Sequence, residues 1–230
     1  AVLTIEALLR TARLLTELGV RKIRVTGGEP LIRRGIDELF DGLGALPDLE
    51  TLALTTNGSH LAESAQRLRE SGVNSINISL DSLEPARFKA ITRIGELATV
   101  LRGIDQAIDC GFERIRLNAV VLDGLNRDEV IPLTQYALDK NIHIAFIEEM
   151  PLGQVNIGGK ALAYVSSDTL QEELAEHFSL IPMTASDTAG PSRDYLIAGS
   201  QTQVGFISPH SQNFCAQCNR LRISAEGRLL

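Results

Sequence analysis

The chain has 230 residues, of which 44% are hydrophobic, and this content is sufficient for a domain with a buried core. Its formal net charge of −7 and isoelectric point near 5.2 argue against a nucleic-acid-binding protein that works through a general basic field. No apolar run approaches the roughly 18 residues of a membrane helix. We therefore expect neither nucleic acid nor membrane as a partner, and any anionic ligand would be met by local arginines.

Helix-like and strand-like patterns alternate along the first 150 residues. The predicted helices cover 4–18, 35–46, 60–71, 97–110 and 128–140. The predicted strands cover 22–26, 51–56, 75–80, 114–121 and 142–148. Parallel strands need crossover connections, so this alternation predicts βαβ units and a parallel sheet. Thr4 is the first predicted helix cap, and helix-ending glycines are predicted at Gly19, Gly72 and Gly111.

The pattern changes after Met150. A glycine-containing loop is followed by a predicted helix at 168–178, with Ser167-Asp168 as its cap, and by antiparallel strands at 195–197 and 204–208. A final hairpin is predicted from 221–224 and 228–230, with its turn at Glu226-Gly227. We expect this C-terminal part to form an extension that covers one end of the α/β unit.

The first predicted strand leads into Thr26-Gly27-Gly28-Glu29-Pro30. The glycine pair ends the strand, and proline prevents its direct continuation. Because glycine has no side chain, a polar cofactor group can approach the backbone of Gly27 and Gly28. Glu29 adds a negative charge that suits a cationic group such as an amine. A glycine pair alone is usually only a turn, but the whole Arg-x-Thr-Gly-Gly-Glu-Pro string is far more specific.

Polar residues also mark the carboxyl ends of the other four predicted strands. They are Thr55, Thr56 and Asn57, then Asn77, Ser79 and Asp81, then Arg116 and Asn118, and finally Glu148 and Glu149. The carboxyl ends of parallel strands meet at one edge, which is where ligands bind in α/β sheets and barrels. Polar groups on successive strands therefore predict a binding site at this edge.

Cys215 and Cys218 form a Cys-x-x-Cys pair, for which three interpretations remain. A thioredoxin-like redox pair would precede a helix, whereas a strand is predicted here. A zinc site would need two more ligands, and His210 is one candidate. An iron–sulfur cluster would need a third cysteine, which would lie just past Leu230. The three cysteines do not form a secreted disulfide framework, so we expect a reducing cytoplasm.

Arginines beside the cysteine pair and on two of the predicted strands are further candidates for ligand contacts. Arg220 and Arg222 alternate on a predicted strand, so both would point to one face beside the cysteine pair. Arg24 and Arg116 lie on strands that lead to the predicted site. Guanidinium groups suit phosphate oxygens, so such a cluster in an acidic protein would mark a phosphorylated substrate. Solvated arginines paired with Glu and Asp are the alternative.

Six segments occur together in an order that resembles one family. They are TGGEP at 26–30, TTNG at 55–58, NISLDSL at 77–83, RLNAV at 116–120, FIEEMPLG at 146–153 and CAQCNRLR at 215–222. The combination resembles molybdenum cofactor biosynthesis protein A, the GTP 3′,8-cyclase family of the radical S-adenosylmethionine superfamily. The resemblance covers essentially the whole chain.

This resemblance implies an α/β fold, namely an incomplete (β/α) barrel of parallel strands with a small C-terminal β-containing extension. Residues 1–150 would form the barrel core without its first strand and cluster loop. Residues 151–230 would form the extension with part of a second cluster site. The implied activity is a lyase reaction of molybdenum cofactor biosynthesis, in which S-adenosylmethionine-derived radical chemistry converts GTP to (8S)-3′,8-cyclo-7,8-dihydroguanosine 5′-triphosphate.

The resemblance also implies site residues, cofactors and partners. The S-adenosylmethionine contacts would be Gly27, Gly28, Glu29, Ser79 and Met150. The GTP contacts would be Arg24, Thr55, Arg116, Arg220 and Arg222. Two [4Fe-4S] clusters are implied, and Cys215 and Cys218 would be ligands of the second. Further implied partners are an electron donor, a downstream pterin-forming enzyme and a second copy of the chain; no catalytic side chain is assigned.

The chain departs from the family pattern in two ways. Arg116 stands where the family usually has Lys, which keeps the positive charge but changes its geometry. The Cys-x3-Cys-x2-Cys motif of the radical-generating cluster and the third cysteine of the second cluster are absent from these 230 residues. We therefore expect that they lie just before Ala1 and just after Leu230, and that this segment alone does not generate the radical.

Two other functions remain open at this point. One is a related radical enzyme with auxiliary clusters that modifies a peptide, which would need a peptide groove instead of converging arginines. The other is a barrel fragment that binds a nucleotide or partners without catalysis, which would fit the missing cysteines literally.

Overall fold

The computed structural model describes residues 2–150, 156–157, 160–161, 163–184, 190–211 and 220–230. The helices are α1 (Ile5–Glu17), α2 (Ile36–Gly44), α3 (Leu61–Glu70), α4 (Pro85–Thr92), α5 (Leu97–Asp109), α6 (Val130–Asp139) and α7 (Ser167–Ala175). The strands are β1 (Lys22–Val25), β2 (Thr51–Thr56), β3 (Ser75–Ser79), β4 (Arg114–Asp123), β5 (His143–Glu148), β6 (Asn156–Ile157), β7 (Lys160–Ala161), β8 (Ala163–Tyr164), β9 (Leu180–Pro182), β10 (Ser192–Ile197) and β11 (Gln203–Ile207). Short 3₁₀ helices cover Pro30–Ile32 and Arg127–Glu129.

The described residues fall into two compact units. The first unit draws on Ala1–Ser79, Ala98–Ile115 and Arg220–Leu230. The second draws on Leu80–Leu97 and Arg116–Asn219. This division follows contacts, so it does not test the boundary predicted at residue 150, which stays a prediction. No helix in the described part of the chain has the length and apolar character needed to cross a membrane.

Three parallel strands form the centre of the first unit. β1 pairs with β2, and β2 pairs with β3, with Leu54 opposite both Val25 and Ile76. Leu52, Ala53 and Leu54 are all buried, as expected for a parallel strand covered on both faces. The predicted strands at 22–26, 51–56 and 75–80 are therefore confirmed to within one residue.

The helices of the first unit bury their apolar faces. In α3, Leu61, Ala65 and Leu68 are buried at the spacing of one helical face. Thr4 caps α1 by accepting a hydrogen bond from Ala7 N at 3.2 Å, which confirms the predicted cap. Gly19, Gly72 and Gly111 have φ values of +99°, +90° and +69°, so the predicted left-handed ends of three helices are confirmed as well.

The second unit combines parallel and antiparallel strands. β4 and β5 are parallel, and β11 adds to β5 in parallel with Phe206 opposite Phe146. β10 then pairs antiparallel with β11, and β9 pairs antiparallel with β10. The predicted antiparallel pair is thus confirmed, but the segment continues the sheet beyond β5 instead of only covering one end. The three buried residues Val204, Gly205 and Phe206 of β11 explain this, because a strand inside a sheet is covered on both faces.

Helix α4 and the short strands β6, β7, β8 and β9 of the second unit are not predicted by the sequence patterns, and β6 pairs with β7 within the segment predicted as a glycine-containing loop. Helix α4 buries only Phe88, so its sequence carries almost no helical periodicity. It is instead specified by its start, where the Glu84 carboxylate accepts hydrogen bonds from Ala86 N and Arg87 N. Strand β9 has three residues and ends at Pro182, which is too short for an alternating pattern.

The cap of α7 is Ser166 and not the predicted Ser167-Asp168 pair, since Ser166 Oγ accepts from Thr169 N.

The C-terminal residues form the predicted hairpin. Arg222 and Leu230 exchange backbone hydrogen bonds of 3.3 and 2.8 Å, and Ile223 bridges Leu229. Gly227 has a φ of +87° at the turn. Arg220 precedes the hairpin and Arg222 lies on it, and both side chains are exposed.

Candidate functional site

The Glu29 carboxylate joins the carboxyl ends of β1 and β2. Its Oε1 accepts hydrogen bonds from Leu31 N at 3.0 Å and from Thr56 Oγ1 at 2.8 Å. Its Oε2 accepts one from Asn57 N at 2.7 Å. A carboxylate has about four acceptor sites, so most of them are used by the protein itself. Glu29 therefore holds two strand ends in place, and its contact with a ligand amine stays a prediction.

Arg24 and Thr55 meet on the same edge of this unit. Arg24 Nη1 donates to Thr55 Oγ1 at 3.3 Å, and Arg24 is an exposed residue. The parallel register places Arg24 opposite Ala53, so Thr55 is the next residue on that face toward the carboxyl end of β2. Two residues predicted to contact GTP are thus brought into direct contact.

The glycine pair leaves the backbone accessible. Gly27 has a φ of +151°, and a Cβ on either Gly27 or Gly28 would meet no heavy atom within 4 Å. The main chain after β1 therefore faces open space, which fits the close approach of a polar ligand group. Ser79 is the last residue of β3 and is half-buried at the same end of the three parallel strands.

The turn after β3 continues into the second unit with Asp81. Burial raises the pKa of Asp81, while a hydrogen bond from Val120 N to its Oδ1 at 2.8 Å acts in the opposite direction. Nearby, Leu80 N donates to Asn118 O at 2.9 Å. The Asn118 Oδ1 atom is buried without a hydrogen-bond partner among the described residues. Because an unsatisfied buried acceptor costs free energy, Asn118 is suited to receive a donor from a ligand.

Arg116 is buried and lies near the start of β4, opposite His143 of β5. Its Nη2 lies 2.8 Å from Asp194 Oδ2 of β10. The N–H bonds are not aligned with that carboxylate, so Nε and Nη2 are buried without a hydrogen-bond acceptor among the described residues. Arg116 therefore has a counter-ion, but its guanidinium is only partly satisfied by hydrogen bonds from the described residues.

The Glu148 carboxylate is the centre of the hydrogen bonds at the end of β5. Glu148 is 1% exposed, and its Oε1 accepts from Ser167 N and Ser211 Oγ, both at 2.7 Å. Its Oε2 accepts from Ser211 N at 2.9 Å and His210 N at 3.2 Å. Burial alone would raise the pKa of Glu148, but the backbone and side-chain hydrogen bonds from Ser167 and Ser211 outweigh it and lower the pKa to about 2. The carboxylate is therefore ionised and fixes the 208–211 loop to β5 and α7.

An aromatic pair lies beside this carboxylate. The rings of Tyr164 and His210 are stacked, with centroids 4.2 Å apart and planes at 25°. Tyr164 belongs to β8, which pairs with β4 through Leu122. Sequence reasoning placed Glu148 at the ligand edge but did not identify it as a hydrogen-bonding centre. Its position in the apolar run of β5 was the available signal, because a buried carboxylate needs several donors.

The other predicted residues have different surroundings. Met150 follows β5 and is 53% exposed. The exposed Arg220 and Arg222 lie in the first unit with Arg24 and Thr55, whereas Arg116 and Met150 belong to the second. Cys215 and Cys218 lie outside the described residues. Within the part of the chain that is described, no group of three or more His, Cys, Asp or Glu side chains could hold a metal ion.

Comparison with known proteins assigns the family. The chain is 51% identical over all 230 residues to the GTP 3′,8-cyclase of Pseudomonas entomophila strain L48, and it covers 69% of that protein. It is 52% identical over 230 residues to GTP 3′,8-cyclase 1 of Pseudomonas aeruginosa, with the same 69% coverage. The chain belongs to the GTP 3′,8-cyclase family. Sequence models of the Radical SAM superfamily and of Molybdenum Cofactor Synthesis C match residues 1–137 and 142–230 of this family member.

Solved structures support the fold class of this GTP 3′,8-cyclase family member. Streptococcus suis SuiB bound to S-adenosylmethionine matches with a TM-score of 0.62 at 18% identity, over 76% of this chain and 40% of SuiB. TYW1 with a lysine-pyruvate adduct matches with a TM-score of 0.52 at 16% identity, over 80% of this chain and 65% of TYW1. At such identities the likeness shows the fold alone. It confirms the predicted α/β class, an unclosed (β/α) barrel of mostly parallel strands.

Proposed function

We propose that the protein is a GTP 3′,8-cyclase of molybdenum cofactor biosynthesis. It would convert GTP to (8S)-3′,8-cyclo-7,8-dihydroguanosine 5′-triphosphate. The observation that carries this proposal is the 51% identity to a curated GTP 3′,8-cyclase over the full 230 residues. The match of both family models, one after the other, supports the same arrangement of a radical domain followed by a molybdenum cofactor domain.

Residues at the carboxyl ends of the strands are proposed to bind S-adenosylmethionine. The set consists of Gly27, Gly28, Glu29, Ser79 and Met150. The open space beside the two glycines supports backbone contacts to a polar ligand. Because Glu29 is held by three donors, it would act by fixing the backbone around the glycine pair as well as through its charge. When bound, the cofactor would supply the radical that the reaction needs.

Arginines and one threonine are proposed to bind GTP. The set consists of Arg24, Thr55, Arg116, Arg220 and Arg222. A triphosphate offers many acceptor oxygens, and in a chain of net charge −7 they require local cations. The Arg24–Thr55 contact supports this assignment. The guanidinium of Arg116 would serve where the family usually has the ammonium group of Lys.

The finer points on cofactors and partners are also proposals. Two thiolates suit iron–sulfur chemistry, so Cys215 and Cys218 are proposed as ligands of the second of two [4Fe-4S] clusters. Such clusters need reduced thiols, which favours the cytoplasm. An electron donor, a downstream pterin-forming enzyme and a homodimer complete the proposed assembly.

The test uses protein expressed from the complete coding region, prepared without oxygen and supplied with GTP, S-adenosylmethionine and a reductant. We expect the cyclised nucleotide by mass spectrometry, and we expect Arg24→Ala and Arg222→Ala to weaken GTP binding by about tenfold or more. Arg10→Ala and Arg13→Ala remove exposed arginines of α1 and serve as matched controls. Deoxyadenosine formation without any modified GTP would contradict the proposed substrate.

The two alternatives give different results in the same experiment. If the protein is a peptide-modifying enzyme, the arginine variants and the control variants should bind GTP equally weakly. No cyclised nucleotide should then form. A non-catalytic nucleotide-binding protein would bind GTP through the arginines but would not cleave S-adenosylmethionine. The fold likeness to SuiB does not favour a peptide substrate, because it extends to the fold alone.

A further inference from the structure

We propose that Asp194 is a positioning residue for the substrate, acting through Arg116. The inference rests on the proposed function, in which Arg116 contacts GTP. It concerns a residue outside the set of predicted contacts. Asp194 lies on β10, in the C-terminal part that sequence patterns predicted only as an extension.

Two small residues make the approach of Asp194 to Arg116 possible. Asp194 is opposite Gly205 in the β10–β11 register, and Gly205 is opposite Ala145 of β5. A Cβ on Gly205 would lie 2.4 Å from Asp194 Oδ1 and 2.3 Å from Ser192 Oγ. The carboxylate therefore lies directly over the glycine. The two strands between β4 and β10, which are β5 and β11, thus have an alanine and a glycine at these positions. Larger side chains there would separate the charges of Arg116 and Asp194.

The two oxygens of Asp194 have different partners. Oδ1 accepts a hydrogen bond from Ser192 Oγ at 2.6 Å, and Oδ2 lies 2.8 Å from Arg116 Nη2. The side chains of Arg116 and Asp194 are only 10% and 26% exposed. A buried guanidinium without a counter-ion is strongly unfavourable, so Asp194 is what allows Arg116 to stay inside the fold. Ser192 in turn fixes the orientation of the carboxylate.

This arrangement also leaves donors for a ligand. A guanidinium carries five N–H donors in a rigid fork, so one edge can face a carboxylate while other N–H groups face a phosphate oxygen. Nη2 lies against Asp194 and Nε is also buried, so Nη1 is the nitrogen left to face a phosphate oxygen. An arginine at this position can therefore serve both groups, and Asp194 determines which N–H groups are presented to the substrate.

The experiment measures GTP binding to the protein from the complete coding region by calorimetry without S-adenosylmethionine, together with KM and kcat. Asp194→Asn keeps the shape and removes the charge. We expect it to raise the Kd and KM for GTP by about tenfold and to change kcat by less than about twofold. Ser192→Ala removes only the 2.6 Å hydrogen bond and should act in the same direction more weakly.

Asp168→Asn is the matched control, because it breaks the exposed Arg193–Asp168 ion pair in the same unit and should leave the Kd unchanged. Unchanged or tighter GTP binding by Asp194→Asn, with weaker binding by Arg116→Ala, overturns the role of Asp194 alone. If Arg116→Ala binds GTP with unchanged affinity, Arg116 does not contact GTP. That result overturns both the proposed contact and the inference that depends on it. If Asp194→Asn does not fold, unchanged binding by Ser192→Ala overturns the inference.

Discussion

The Glu148 carboxylate accepts a hydrogen bond of 2.9 Å from the backbone N–H of Ser211, 63 positions later in the chain. The same carboxylate accepts from Ser167 N, the first residue of α7. One buried charge therefore connects the end of β5, the start of a helix and the loop after β11. This loop leads toward the segment that carries Cys215 and Cys218, so its fixed position is relevant to the proposed second cluster.

We expect Glu148→Gln to destabilise the protein by about 2 to 3 kcal/mol at neutral pH. The pKa of Glu148 is lowered from 4.5 to about 2, and this difference corresponds to roughly 3 kcal/mol of stabilisation of the charged side chain. A depressed pKa stabilises the fold above the unfolded value, and this contribution is lost as the pH falls from 4.5 toward 2. Denaturant unfolding at several pH values should therefore show the difference between the two proteins shrinking below pH 4.5.

Glu149→Gln, the same change one residue later, is the control for this series. It should have little effect on the free energy of unfolding. An equal loss from both variants, or a difference that does not depend on pH, would show that the amide and hydroxyl donors do not stabilise the Glu148 charge.

Asn126→Asp should be severely destabilising, although the two side chains have the same shape. Asn126 is 1% exposed, and its Nδ2 donates to Asp81 O at 2.8 Å and Val120 O at 2.9 Å. A carboxylate would place an acceptor against two carbonyl oxygens, which we expect to cost about 3 kcal/mol or more at neutral pH. Protonation restores a donor, so thermal unfolding should show partial recovery in acid. A midpoint independent of pH would contradict this explanation.

Two glycines of α2 should respond differently to alanine. A Cβ on Gly44 would lie 1.9 Å from Ser71 O, a backbone atom, whereas a Cβ on Gly42 would lie 2.5 Å from the flexible end of Leu9. Alanine gains about 1 kcal/mol of helix propensity over glycine. Gly42→Ala should therefore be nearly neutral, and Gly44→Ala should destabilise by roughly 2 to 4 kcal/mol because α2 and the end of α3 must separate. Urea unfolding of the two variants measures this difference in the free energy of unfolding. Equal stability of Gly42→Ala and Gly44→Ala would contradict the explanation.

Glu29→Ala should increase the mobility of the turn after β2 more than that of the rest of the first unit. The change removes the acceptors of Leu31 N, Thr56 Oγ1 and Asn57 N. Hydrogen exchange should become faster at the amides of Leu31 and Asn57, and we expect the affinity for S-adenosylmethionine to fall by about tenfold or more. Unchanged exchange at Asn57 would show that Glu29 does not hold the two strand ends together.

Sequence patterns are sufficient to predict a structural element where the interactions that form it are local in the chain. The apolar runs of β2 and β5, the cap of α1 and the glycines that end helices depend on residues a few positions apart. The six segments also identify the GTP 3′,8-cyclase family, because their combination is specific. The sequence patterns do not predict the short helix α4 or the strands β6 to β9, since one buried phenylalanine or strands of two or three residues carry no measurable periodicity.

Only the tertiary structure decided which distant groups meet. The sequence shows Glu29, Glu148 and Asp194 as carboxylates, but not that each is held by donors or charges from separate elements. Ser211 reaches Glu148, and Asp194 reaches Arg116 over Gly205, because parallel and antiparallel pairing aligns strands that are far apart in the chain. Residue type and spacing determined the family and the candidate ligand residues. Strand register and burial determined their partners, because the free energy of a buried charge depends on the groups packed around it.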